Sequence, residues 1–158
     1  MEYDKNNIFA KILRGDIPCK KIYEDKFVLA FLDIAPQKKV HALIIPKGQY
    51  VNLDDFSAKA SEKEISGLIK GISIVAKKLG VTDEVSGGGY RSLVNVGENG
   101  GQEVPHLHFH IFGGEKVGKL VSWFSIYQRS FSFGILKESF VIITFVSKLI
   151  IENFTLLE

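Results

Sequence analysis

Apolar residues recur at helical spacing across residues 61–79, where Ile65, Leu68, Ile69, Ile72, Val75, Ala76 and Leu79 fall on one face. Ser61 and Glu64 form a capping-box pattern ahead of them and Gly80 closes the run, so the pattern predicts one long amphipathic helix. A shorter helix is predicted over Ile8–Arg14, because Asn7 can accept a backbone N–H at its start and Gly15 can stop it. Elsewhere the chain has the look of strands. Residues 21–24 and 27–33 lie either side of a polar turn and read as a hairpin, and residues 40–45 form a third run, ending at Pro46. A glycine-rich loop at 86–89 leads to a strand over 90–96, and the loop 97–101 turns the chain into the run His106-Leu107-His108-Phe109-His110. Short connections between strands that outnumber the helices give an α+β fold with an antiparallel sheet.

After Gly114 the composition changes: residues 115–158 contain no Ala, Asp, His or Pro but hold six of the twelve Phe. The pattern therefore predicts one domain over 1–114 and an atypical C-terminal extension over 115–158. The longest uncharged stretch near the end, residues 139–147, is far short of the ~20 apolar residues that span a bilayer, so no membrane association is expected. With 20 basic and 18 acidic residues the formal charge is +2, which gives no field demanding nucleic acid or anionic lipid. The single cysteine, Cys19, and a polar N-terminal segment without a secretory signal fit a cytoplasmic protein.

On a strand, alternation sends His106, His108 and His110 to one side and Leu107, Phe109 and Ile111 to the other, so one face carries chemistry and the other core. Three imidazoles at steps of ~7 Å can meet a small anion or a zinc ion, for which Asp33 or Glu103 could supply a further ligand. The spacing does not choose between them. Next to the run stands Asn95-Val96-Gly97-Glu98-Asn99-Gly100-Gly101-Gln102, whose glycines allow backbone N–H groups close to an anion. That adjacency favours phosphate chemistry, with no metal and no cofactor required.

Asp33-Ile34-Ala35-Pro36, His41 ahead of Ile45-Pro46-Lys47, Gly101-Gln102 and His106 through Gly114 together resemble the histidine-triad superfamily. The Gly113-Gly114 pair and the opening Ile8-Phe9-x-Lys11-Ile12 are similar to its nucleoside-phosphoramidase (Hint) branch. The resemblance covers residues 7–114. It implies a five-stranded antiparallel sheet with two helices, a homodimer joined edge to edge, and a purine nucleoside monophosphate or its phosphoramidate as bound partner. It places Asp33 on the ribose hydroxyls and Phe9, Ile12, Ile34 and Leu43 around the base; on sequence context alone, Asp33 also reads as a turn-capping residue before Pro36.

The same resemblance implies that His108 attacks phosphorus, forming a nucleotidyl-histidine that water hydrolyses. His106 and His41 complete the histidine network. His110, Gln102, Asn95 and the backbone of Asn99 to Gly101 are the candidate donors to the phosphate oxygens. Glu103 stands where relatives often place Ser near the leaving group. A dinucleoside polyphosphate hydrolase and a nucleotide-binding regulator with incidental catalysis are the competing functions.

Overall fold

The computed structural model describes residues 2–85 and 87–119; the expectations for residues 120–158 lie outside them. The elements in chain order are α1 (Ile8–Arg14), β1 (Lys21–Glu24), β2 (Val28–Leu32), β3 (Val40–Pro46), α2 (Leu53–Lys59), α3 (Glu62–Lys78), a 3-10 turn (Asp83–Val85), β4 (Arg91–Val94) and β5 (Phe109–Gly113). The strands form one antiparallel sheet in the order β1-β2-β3-β5-β4. The expected α+β sheet of five strands is present, with one short helix, α2, beyond the two expected. The compact unit holding these elements runs Met1–Gly118. Among the described residues no helix is long and apolar enough to cross a membrane.

Strand alternation sorts the core into two layers, one on each face of the sheet. Val28, Ala30, Ala42, Ile44 and Ile111 point to the α3 side and join Leu68, Val75 and Ala76. Leu29, Phe31, Leu43 and Ile45 point the other way and join Phe9 of α1. Each fully buried large apolar side chain contributes roughly 1.5–3 kcal/mol, so these layers fix the register of β2, β3 and β5.

Helix α3 has the expected capping box, in which Ser61 and Glu64 satisfy each other's backbone N–H groups. Its buried stripe is Leu68, Gly71, Ile72, Val75 and Ala76, whereas Ile69, expected on the apolar face, is 58% exposed. The cause is glycine. A Cβ at Gly67 would meet Phe27 at 2.8 Å and one at Gly71 would meet Ile44 at 2.8 Å, so the helix lies against the sheet along its glycines and turns Ile65 and Ile69 outward. A similar close approach occurs at the end of β5, where a Cβ on Gly113 would lie 2.8 Å from the Val81 side chain. Gly114 follows at φ +75°, a conformation that costs glycine little.

Candidate functional site

The first two histidines do not lie in regular strand as the alternation predicts; β5 begins at Phe109 and contains only His110. The main chain before it bonds outside the sheet instead, His106 N–H donating locally to Val104 O (2.8 Å) and Leu107 N–H to the distant Tyr50 O (2.8 Å). The division of faces still holds. Leu107 and Ile111 are buried in the α3 layer with Phe109 packed against it, while Phe9 of the opposite layer touches both His106 and His108 edge-on. Across the sheet, β3 and β4 put Leu43 and Leu93 opposite His110, and His41 and Arg91 opposite Phe112.

The hydrogen bonds assign the ring tautomers. His108 Nδ1 lies 2.7 Å from the main-chain oxygen of His106. A carbonyl only accepts, so Nδ1 carries the hydrogen and Nε2 the lone pair. His106 Nε2 lies 3.0 Å from Pro46 O, which protonates Nε2 and leaves Nδ1 to accept from the Tyr3 hydroxyl. His41 Nδ1 accepts from Gln37 N–H at 3.3 Å, so its Nε2–H points at His110 Nδ1, 2.9 Å away. His110 must then be protonated at Nε2, and that atom is buried without a hydrogen-bond partner among the described residues. A buried donor left unpaired costs about 1–3 kcal/mol, a cost that an acceptor oxygen placed there would remove.

Burial keeps all four rings neutral. Desolvation pushes His106 down to about 4, and it does the same to His110 with help from the neighbouring His108 and His41. His108 is lowered by burial, against the pull of the His106 carbonyl, Asp33 and Glu103, and His41 is lowered by burial against Asp33. A neutral imidazole offers the lone pair that nucleophilic attack needs near pH 7.

Asp33 does two things here. Its Oδ1 caps the turn by accepting from Ala35 N–H at 2.8 Å, and its Oδ2 lies 3.4 Å from His41 Nε2. Asp33, His41 and His110 thus bring three possible ligand atoms within 4.8 Å of one another. The 2.9 Å between the two ring nitrogens is a hydrogen-bond distance, below the ~3.3 Å separating two nitrogens on a tetrahedral zinc.

The apolar candidates divide. Phe9 and Leu43 are buried and Ile12 packs against them, whereas Ile34 is 95% exposed. In the glycine loop, Asn95 Nδ2 donates to Gly101 O at 3.2 Å, and Gly101 N–H closes the turn on Glu98 O at 2.9 Å. Gln102 uses both amide hydrogens on main chain, at Val51 O (2.6 Å) and Val104 O (3.0 Å), while its Oε1 accepts from Gly97 N–H. It therefore fastens the loop to the strand-helix connection. Asn99 and Glu103 are exposed. Beside His110 and Asn95 opens a cavity of about 290 Å³ lined also by Phe112 of the histidine run and by Gln37, Lys38 and Arg91, which the motif spacing does not single out. Gln37 and Tyr3 are the other participants missed; one acts through its backbone and the other is remote in sequence, so neither leaves a local signal.

The HIT domain model matches residues 14–117. An uncharacterized HIT-like protein of Azospirillum brasilense is 52% identical over 120 residues, covering 76% of this chain and 95% of that one. The purine nucleoside phosphoramidase of Escherichia coli (strain K12) is 36% identical over 118 residues, covering 75% and 95%. The solved structure of a HIT family hydrolase from Clostridium thermocellum superposes with a TM-score of 0.64 at 35% identity, covering 75% of this chain and 99% of that one. With the fold, the histidine arrangement and these matches in agreement, the chain belongs to the HIT family.

Proposed function

We propose that this protein is a nucleotide hydrolase that cleaves the P–N bond of purine nucleoside phosphoramidates. His108 Nε2 attacks the α-phosphorus, the P–N bond breaks and the amine departs with a proton from solvent; water then cleaves the nucleotidyl-histidine, its oxygen staying on the nucleoside monophosphate and a proton returning to solvent as the imidazole is freed. The observation that carries this reading is the 2.7 Å bond from His108 Nδ1–H to the His106 carbonyl, which fixes the tautomer whose Nε2 is nucleophilic. The Nε2–H of His110, without a partner among the described residues, supports it further as a donor to a phosphate oxygen in the transition state. Asp33 is assigned to the ribose hydroxyls and Ile34, Phe9, Ile12 and Leu43 to the base. Asn95, Asn99, Gly101, Gln102 and Glu103 are assigned to the loop around the phosphate and leaving group. The working form is proposed as a homodimer, with β1 and β4 the strands at the sheet's edges.

The test compares turnover of adenosine lysyl-phosphoramidate and of a diadenosine polyphosphate at equal enzyme, with and without chelator. Preference for the phosphoramidate, insensitive to chelator, is expected. His108→Ala should bind adenosine monophosphate yet release no amine and trap no radiolabelled nucleotide on the protein. Turnover by that variant would overturn the assignment, as would preference for the polyphosphate.

A further inference from the structure

The N-terminal segment ahead of α1 is tied to the helix start. Asn7 caps α1 by accepting from Ala10 N–H at 2.9 Å, and its amide donates back to Asp4 O at 2.6 Å. Arg14 reaches Lys5 O at 2.7 Å from the other end of the same helix. These ties bring Tyr3 to His106, 103 positions later, with ring centroids 5.5 Å apart in an edge-on contact and the hydroxyl on Nδ1. His106 is 0% exposed, so both its nitrogens need protein partners, and Pro46 O supplies one.

We propose that Tyr3 is a positioning residue for the nucleophile: its hydroxyl donates to His106 Nδ1, fixing the residue whose main-chain oxygen holds His108 by Nδ1–H. With Nε2 of His106 held by Pro46 O, the Tyr3 hydroxyl is the second anchor of that ring. Without it the ring keeps one anchor and a buried lone pair without a donor. Residue 106 can then shift, and the carbonyl that selects the His108 tautomer shifts with it. The inference deepens the phosphoramidase reading and rests on it for its catalytic consequence only.

The variant is Tyr3→Phe, which keeps the ring and its edge contact and removes one oxygen. Two measurements are made on the full chain: imidazole nitrogen NMR after labelling the histidines with 15N, and steady-state kinetics with adenosine lysyl-phosphoramidate. The His106 Nδ1 resonance is expected to move to that of an unbonded lone pair and His108 to lose its single tautomer. The kcat should fall about threefold to tenfold, the size of one net hydrogen bond, with KM within about twofold. A His108 spectrum identical to wild type overturns the proposal, and so does an unchanged kcat beside an altered His106 signal. If wild type turns over no phosphoramidate, the functional reading fails by itself, and the His108 tautomer in the variant still decides the role of Tyr3.

Discussion

His41 Nε2 lies 2.9 Å from His110 Nδ1, and the hydrogen between them belongs to His41, because the Gln37 N–H occupies its other nitrogen. Position 41 thereby dictates which nitrogen of His110 is a donor. In His41→Phe, whose ring still fits beside Phe112, His110 is free to take the opposite tautomer. The expected result is a roughly tenfold to hundredfold drop in kcat with a smaller change in KM. His41→Gln, which restores a donor, should recover part of it. Steady-state kinetics on the two variants checks this, and equal activity in both would show that the donated hydrogen does not matter.

The lowered histidines also set a pH dependence of folding. In the unfolded chain they titrate near 6.5, whereas His106 and His110 in the folded chain titrate at about 4. Between these values the unfolded state binds more protons, so stability is full above about pH 6.5 and declines as pH falls toward 4. His106 alone contributes a loss on the order of 3 kcal/mol once the lower value is passed. Unfolded carboxylates titrate near 4 and Glu24, held by Lys21 and Lys47, only near 2, so the first decline belongs to histidine. Urea midpoints at pH 7.5, 6 and 5 should fall in that order; a flat profile would mean the rings take up protons in the folded state as readily as in the unfolded chain.

Gly71 tests the contact between α3 and the sheet. Alanine would add about 0.5–1 kcal/mol of helix preference. It would also press a methyl to 2.8 Å from Ile44 Cδ1 and 3.2 Å from Val28 Cγ2, both fully buried. Overpacking costs about 1–3 kcal/mol, so the net effect of Gly71→Ala is destabilising. A lower urea midpoint at unchanged slope is expected, and a raised midpoint would mean the helix has room to retreat.

Gln102→Glu changes one nitrogen for an oxygen and sets it against two carbonyls, Val51 O and Val104 O. The bond from Gly97 N–H survives the change, so the damage is confined to the anchor between loop and connection. A loss of about 1–3 kcal/mol is expected. Thermal melts measure it, and faster hydrogen exchange at Gly101 and Gln102 would accompany it.

What the sequence revealed depended on how local the cause was. The capping box at Ser61 and Glu64, the Asn7 cap and the strand over Lys21–Glu24 are set by neighbours a few residues away and are readable directly. The two-faced character of the histidine run survives even though its first half lies outside the sheet, because Leu107 stays in the α3 layer while Phe9 of the other layer meets His106 and His108. Helix α2 left a weaker trace: Asn52 caps it and Asp54 and Asp55 begin it, but with Phe56 its only buried residue there is no apolar period to follow. The hydrogen-bonding of the site was not legible at all. Ring tautomers depend on the Pro46 carbonyl, the Gln37 N–H and the Tyr3 hydroxyl, partners that only the folded chain brings into register. Gln102 likewise looks like a free donor until its two carbonyl partners are placed beside it.

The glycine doublet that ends the histidine run lies among the most recognisable letters of the motif, and neither glycine is bonded to any histidine ring. Gly113 leaves room for the side chain of Val81, and Gly114 turns the strand away at φ +75°. The first letter thus records a close approach to a valine some thirty positions upstream, and the second a left-handed turn packed against Val40. A homologue with a bulkier residue in the first slot is expected to carry a smaller one opposite, whatever substrate it hydrolyses.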